Sequence, residues 1–184
     1  MTTAVPSDVR VPAKLAHVVL RSARYAETVH WYEAVLGARA VFANPMLTFL
    51  TYDDEHHRLA VINVPGLPDA PAAAGVDHIA FTYATLGDLL HTYRRLSPQG
   101  IRPYWCINHG PTTSLYYRDP NGVQVELQID NFADPAALAA WMRSGAFTRN
   151  PIGVEFDPDV LSARFERGDP LDELVQQGSA PSAA

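Results

Sequence analysis

Leu15-Ala16-His17-Val18-Val19-Leu20 returns 61 residues later as Val76-Asp77-His78-Ile79-Ala80-Phe81. Each is a short run rich in β-branched residues with a histidine near its start, and each predicts a strand. The same offset superimposes His30 on His91, Tyr32 on Tyr93 and Val35 on Leu96, so the segment after each strand repeats as well. In the first copy Tyr25, Val29, Tyr32, Ala34 and Leu36 recur at roughly helical spacing over 23–36, and Gly37 is placed to end the helix. Three strand-like segments follow, 38–42, 47–52 and 58–64, separated by Asn44-Pro45 and the acidic turn Asp53-Asp54-Glu55. In the second copy the strand 76–82 and helix 86–96 are followed by strands 104–108, 114–117 and 123–129. The expected fold is α+β, with two βαβββ modules, 14–65 and 76–132, forming one concave mixed sheet.

Outside the repeat, residues 1–13 read as a leader and the proline- and alanine-rich 66–75 as a linker. Residues 133–184 read as a helical extension. Asp134-Pro135 and Asp157-Pro158 each pair an N-cap aspartate with a first-turn proline, and the small, polar stretch from Gln176 predicts a disordered end. These added helices are assigned packing or dimerisation roles, and a homo-oligomer is expected.

The 184 residues are 47% hydrophobic and 18% charged, which suits a folded globular protein. Net charge is −6 with no Lys/Arg cluster to meet a row of phosphates, so a nucleic-acid partner is not expected. Cys106 stands alone, which excludes an intramolecular disulfide, a thiolate zinc site or an iron–sulfur cluster within one chain. Neither a signal-peptide pattern nor a run of membrane-spanning length is present, so no membrane association and a cytoplasmic location are expected.

A lone strand histidine is ordinarily a hydrogen-bonded structural residue. Here, pairing of the two modules would bring His17 and His78 to one pocket. In Val123-Gln124-Val125-Glu126-Leu127-Gln128, alternation puts Gln124, Glu126 and Gln128 on one side of a strand, so a carboxylate can join them. Two imidazoles and one carboxylate leave open positions on a metal, as in non-haem Fe(II) oxygenases. Mn(II) suits the same donors, and catalytic zinc sites also use two His and one Glu, so ligand type alone leaves the metal open.

Over residues 14–132 the chain resembles the vicinal oxygen chelate superfamily (glyoxalase, bleomycin resistance protein, extradiol dioxygenase), and within it single-domain type I extradiol catechol dioxygenases. The similarity lies in 15–20, in Asp77-His78-Ile79-Ala80-Phe81, and in the run from Asn108-His109-Gly110-Pro111 through Tyr116-Tyr117-Arg118-Asp119-Pro120-Asn121-Gly122 to Val125-Glu126-Leu127. Asp54-Glu55-His56-His57-Arg58-Leu59-Ala60 resembles the paired-histidine strand of the extradiol enzymes. The resemblance implies Fe(II) held by His17, His78 and Glu126. It implies acid/base chemistry at His57 and hydrogen bonding from His109 and Tyr116, on a catechol-type diol with O2. A histidine titrating near neutrality can take a diol proton, and an imidazole and a phenol can stabilise charge developing on oxygen.

Two other activities share this fold. A glyoxalase-like isomerase or transferase would draw a fourth ligand from the last strand of the first module, but 58–64 contains no acidic residue. A non-catalytic resistance protein would hold its ligand in a groove and need no triad.

Overall fold

The computed structural model describes residues 14–68 and 76–181. The expected leader and most of the expected linker lie outside the described residues. The chain divides into two compact units, one ending at Pro68 and the other starting at Asp69.

In the first unit, β1 (Val18–Ser22) leads into α1 (Tyr25–Leu36), which ends at Gly37 in the left-handed conformation. Strands β2 (Arg39–Ala43), β3 (Leu47–Thr51) and β4 (Leu59–Asn63) complete a sheet of order β1-β4-β3-β2, in which β1 runs parallel to β4 and the other neighbours are antiparallel. Thr28, Trp31, Tyr32 and Val35 form the buried stripe of α1, at the spacing of one helix face. Leu50, Leu59 and Val61 are buried in the sheet strands. The tight turn between β2 and β3 is closed by the Asn44 side-chain oxygen, which accepts from the amides of Met46 and Leu47 at 2.8 and 2.9 Å.

The second unit repeats this order. It contains β5 (His78–Thr82), α2 (Leu86–Leu96), a 3-10 turn at Ser97–Gln99, β6 (Trp105–Asn108), β7 (Thr112–Arg118) and β8 (Gln124–Asp130). The sheet order is β5-β8-β7-β6, with β5 parallel to β8, followed by one further strand, β9 (Val154–Glu155), contributed by the extension. The Thr85 hydroxyl caps α2 by accepting from the Asp88 amide at 3.1 Å. The Asp119 carboxylate closes the turn into β8 by accepting from the amides of Asn121 and Val123. Leu89, Leu90 and Leu96 of α2, together with Leu115, Tyr117, Val125 and Leu127 of the sheet, form the buried core of this unit.

The repeat in the sequence is thus a repeat of topology. The expected single concave sheet is, in hydrogen-bonding terms, two mixed sheets of four and five strands. Each module's first strand pairs with that module's own last strand, so among the described residues the ladders close module by module.

The extension is helical as expected. α3 (Pro135–Arg143) and α5 (Pro158–Glu166) are capped by Asp134 and Asp157, and α4 (Ala146–Arg149) and α6 (Leu171–Leu174) are single turns. The expected disordered end does not extend to residues 176–181. Ala180 is buried and its carbonyl accepts from the Asp157 amide at 2.8 Å, while Arg164 donates to the Ser179 carbonyl. Among the described residues, no helix is long and apolar enough to cross a membrane.

Candidate active site

Residues opposed across a ladder point to the same side of the sheet. In the second unit Trp105 opposes Tyr116, Tyr116 opposes Glu126, Glu126 opposes Ala80, and His78 opposes Gln124. His78, Gln124, Glu126, Tyr116 and Trp105 therefore share the face turned away from the Leu115–Leu127 core. Alternation along β8 holds, and Glu126 on it is only 4% exposed.

His78 lies between two carboxylates. Its Nδ1 is 2.8 Å from Asp77 Oδ2 and its Nε2 is 3.0 Å from Glu126 Oε2. A carboxylate accepts but does not donate, so Nδ1 bears the proton facing Asp77. Nε2 and Glu126 then share a cation, which is either a proton or a metal ion. An imidazole oriented by an outer carboxylate, beside a second and buried carboxylate, is a donor set that fits a divalent metal. Within neither unit do three His, Cys, Asp or Glu side chains gather to hold a metal among the described residues. The three expected ligands are divided, His78 and Glu126 in the second unit and His17 in the first.

Tyr116 lies beside this pair. Its hydroxyl is 3.1 Å from His109 Nε2, and His109 Nδ1 meets the carbonyl of Ile152. Burial, then the charge of Glu126 and a hydrogen bond to it, push the Tyr116 phenol well above its ordinary pKa, so it remains a proton donor. Asp77, His78, Tyr104, Trp105, Tyr116 and Gln124 line an open cavity of about 450 Å³. Its far wall is stiffened by a hydrogen bond from the Tyr104 hydroxyl to Gln124 and by the Arg118 guanidinium 4.3 Å above the Tyr104 ring.

In the first unit His17 immediately precedes β1. The Arg58 guanidinium fixes that approach by donating to the carbonyls of Leu15 and Ala16, at 2.8 and 3.1 Å, while pairing with Asp53. The ring centroids of His17 and His57 are 4.3 Å apart. His57 is 7% exposed and lies flat on Phe49, at 4.2 Å and 6°. Burial, reinforced by the positive charges available at His17 and His56, holds its pKa below the usual histidine value, while Glu55 acts in the opposite sense. His57 is therefore an uncharged base at neutral pH.

Sequence patterning did not single out Asp77 or Gln124 as site residues. Asp77 lies just outside β5, where alternation gives it no face, and its adjacency to His78 is the one signal available. Residues 14–127 match the model of the Glyoxalase/Bleomycin resistance protein/Dioxygenase superfamily. The chain belongs to that superfamily. It is 46% identical over 164 residues to biphenyl-2,3-diol 1,2-dioxygenase 2 of Rhodococcus globerulus, covering 88% of this chain and 86% of that one. It is also 46% identical over 173 residues to biphenyl-2,3-diol 1,2-dioxygenase 3 of the same organism, covering 92% and 91%. Lactoylglutathione lyase from Agrobacterium tumefaciens superposes with a TM-score of 0.53 at 19% identity, covering 65% of this chain and 96% of that one. A superfamily member from Alicyclobacillus acidocaldarius gives 0.52 at 16% identity, over 66% and 95%. These last two likenesses are of fold.

Proposed function

We propose that this superfamily member is an extradiol dioxygenase that opens the ring of a catechol-type aromatic diol, using Fe(II) and both atoms of O2. The observation carrying the proposal is the 46% identity to two diol dioxygenases across roughly nine-tenths of the chain. The His78–Glu126 pair supports it, beside a cavity walled by aromatic rings.

The proposed metal ligands are His17, His78 and Glu126, with Mn(II) the other metal these donors suit. When bound, the metal supplies a chelation point for the vicinal oxygens and for O2. The roles of the protein groups follow from their surroundings. His57, kept uncharged by burial, accepts a hydroxyl proton from the diol. Tyr116, kept protonated by burial and Glu126, donates a hydrogen bond where negative charge gathers on oxygen, and His109 orients that hydroxyl through its Nε2. Tyr104 and Trp105 offer apolar faces to a ring system and exclude water from one side of it. A homo-oligomer, a cytoplasmic location, and the absence of nucleic-acid or membrane partners complete the proposal.

Anaerobic loading with Fe(II), followed by a panel of catechols in an oxygen electrode with absorbance detection, tests it. Oxygen uptake with a yellow ring-opened product is expected. Absence of both with every catechol would overturn the assignment. Full-affinity ligand binding by His78→Ala, with no iron bound to the parent protein, would point instead to a non-catalytic binding protein.

A further inference from the structure

Beyond Asn131 the extension returns four times to Asn108-His109-Gly110. The Trp141 ring of α3 covers Gly110 so closely that a Cβ there would lie 2.3 Å from it. The Ile152 carbonyl meets His109 Nδ1. Val154 pairs with Asn108 in the β9–β6 ladder, and Gly153, at φ +114°, lies so near that an added Cβ would be 2.3 Å from the Asn108 carbonyl oxygen and 2.8 Å from His109 Cα. Finally, Asn108 Nδ2 donates to the Val175 carbonyl at 2.8 Å and Gln177 Nε2 donates to the Asn108 carbonyl at 3.0 Å. The Asn150 side chain closes the turn by bonding both the amide and the carbonyl of Gly153, at 2.9 and 2.8 Å.

From these contacts we infer that the extension is a positioning strap, whose Ile152 carbonyl fixes the tautomer of His109 and so directs the Tyr116 hydroxyl. A carbonyl has no proton to give, so the His109 Nδ1 in contact with it must bear one. In the neutral ring the other nitrogen, Nε2, is then left with a lone pair and can only accept. The atom 3.1 Å from that lone pair is the Tyr116 hydroxyl oxygen, whose single proton has two acceptors, His109 and Glu126. With His109 held as an acceptor, the Tyr116 proton rests toward Nε2 and away from Glu126, which leaves the carboxylate free for a cation, and it swings to a substrate oxygen when negative charge gathers there. With the proton on Nε2, His109 and Tyr116 would present two donors to each other, and the phenol would be tied to Glu126. Ile152, Gly153 and Gln177 are thus positioning residues that act on Tyr116 through His109. The same strand orients the cavity wall, since Trp105 Nε1 donates to Glu155 at 2.9 Å.

The catalytic consequence rests on the ring-cleavage proposal, whereas the tautomer can be read without turnover. The test is a long-range nitrogen–proton spectrum of the full-length, 15N-histidine-labelled protein, with the His109 signals assigned by their loss in His109→Gln. His109 is expected to carry its proton on Nδ1. Gly153→Ala drives a methyl group into the Asn108 carbonyl and His109, and Gln177→Ala removes the bond to the Asn108 carbonyl while leaving the positive-φ turn intact, which keeps the test available should Gly153→Ala not fold. Both variants are expected to shift His109 toward a tautomer mixture. Their kcat with a catechol should fall about 10-fold or more, with KM changed less than about twofold, as for loss of an outer orienting contact. A parent protein with the proton on Nε2 overturns the inference. A tautomer shift that leaves kcat unchanged overturns its catalytic half. If the parent turns over no catechol, the ring-cleavage proposal fails, and the nitrogen spectrum still decides the strap.

Discussion

His78 and Glu126 meet diagonally across a parallel ladder, with Nε2 and Oε2 3.0 Å apart although the residues directly opposed are His78 with Gln124 and Ala80 with Glu126. On the cavity side Gln124 and Tyr116 stand beside them, each opposed to one of the pair across a ladder. A buried carboxylate facing an imidazole whose other nitrogen is committed to a second carboxylate gains most from a cation placed between them.

Removing the carboxylate separates metal binding from folding. Glu126→Gln is expected to lower Fe(II) affinity at least about 10-fold, measured by iron content after anaerobic loading and dialysis. In the metal-free state the near-ultraviolet circular dichroism of the variant should match the parent, because a neutral amide of the same shape fills the place of the carboxylate. Retention of iron at parental affinity would remove Glu126 from the ligand set.

Asp77 acts one shell further out. Asp77→Asn replaces the acceptor on His78 Nδ1 by a group that can also donate, loosening the tautomer and ring orientation. The expected result is a loss of metal affinity of about 10- to 100-fold with little change in melting temperature. A parental affinity would show that the Asp77–His78 contact has no bearing on the metal.

For His57 the expected signature is kinetic. Its ring is pinned between Phe49 and His17 and kept uncharged by burial. His57→Gln preserves size and polarity but cannot take up a proton. It should lower kcat by about 10²- to 10⁴-fold while iron content stays at the parental level. Parental kcat in the loaded variant would assign the diol proton to another group.

The fold was legible wherever local chemistry and period sufficed. The His17/His78 repeat predicted two copies of one topology, and the aspartates before Pro135 and Pro158 marked the starts of α3 and α5. Alternation put Glu126 on one face with Gln124 but could not show its burial, which depends on Tyr116 and His78 standing beside it across the sheet. β9 is two residues long, too short to display any period, and the Ile152 carbonyl is a main-chain group that side-chain patterning does not register. The end beyond Gln176 looked disordered because its residues are small and polar. The order of residues 177–180 comes from distant partners, Asn108, Asp157 and Arg164, which no local window contains.

Cys106 offers a test independent of the metal. It lies in β6 opposite Leu115, on the core side of the sheet. Burial foremost, then the negative charges of Asp157, Glu155 and Asp159, push its thiol pKa up to about 12 from an ordinary value near 9. The thiolate is the reactive form, and at pH 8 only about one molecule in ten thousand would hold it. Iodoacetamide should therefore leave native Cys106 largely unmodified over a time in which the denatured chain is fully alkylated, and native labelling as fast as that of the denatured chain would contradict its half-buried placement on the core side. The same shift has a sign in stability. The folded state holds the thiol proton more tightly than the unfolded chain, so this contribution is fully present below about pH 9 and is lost as pH rises toward 12. Replacing the thiol by Cys106→Ala should accordingly flatten the decline in melting temperature between pH 9 and pH 11, and an undiminished slope would assign that decline to the tyrosines instead.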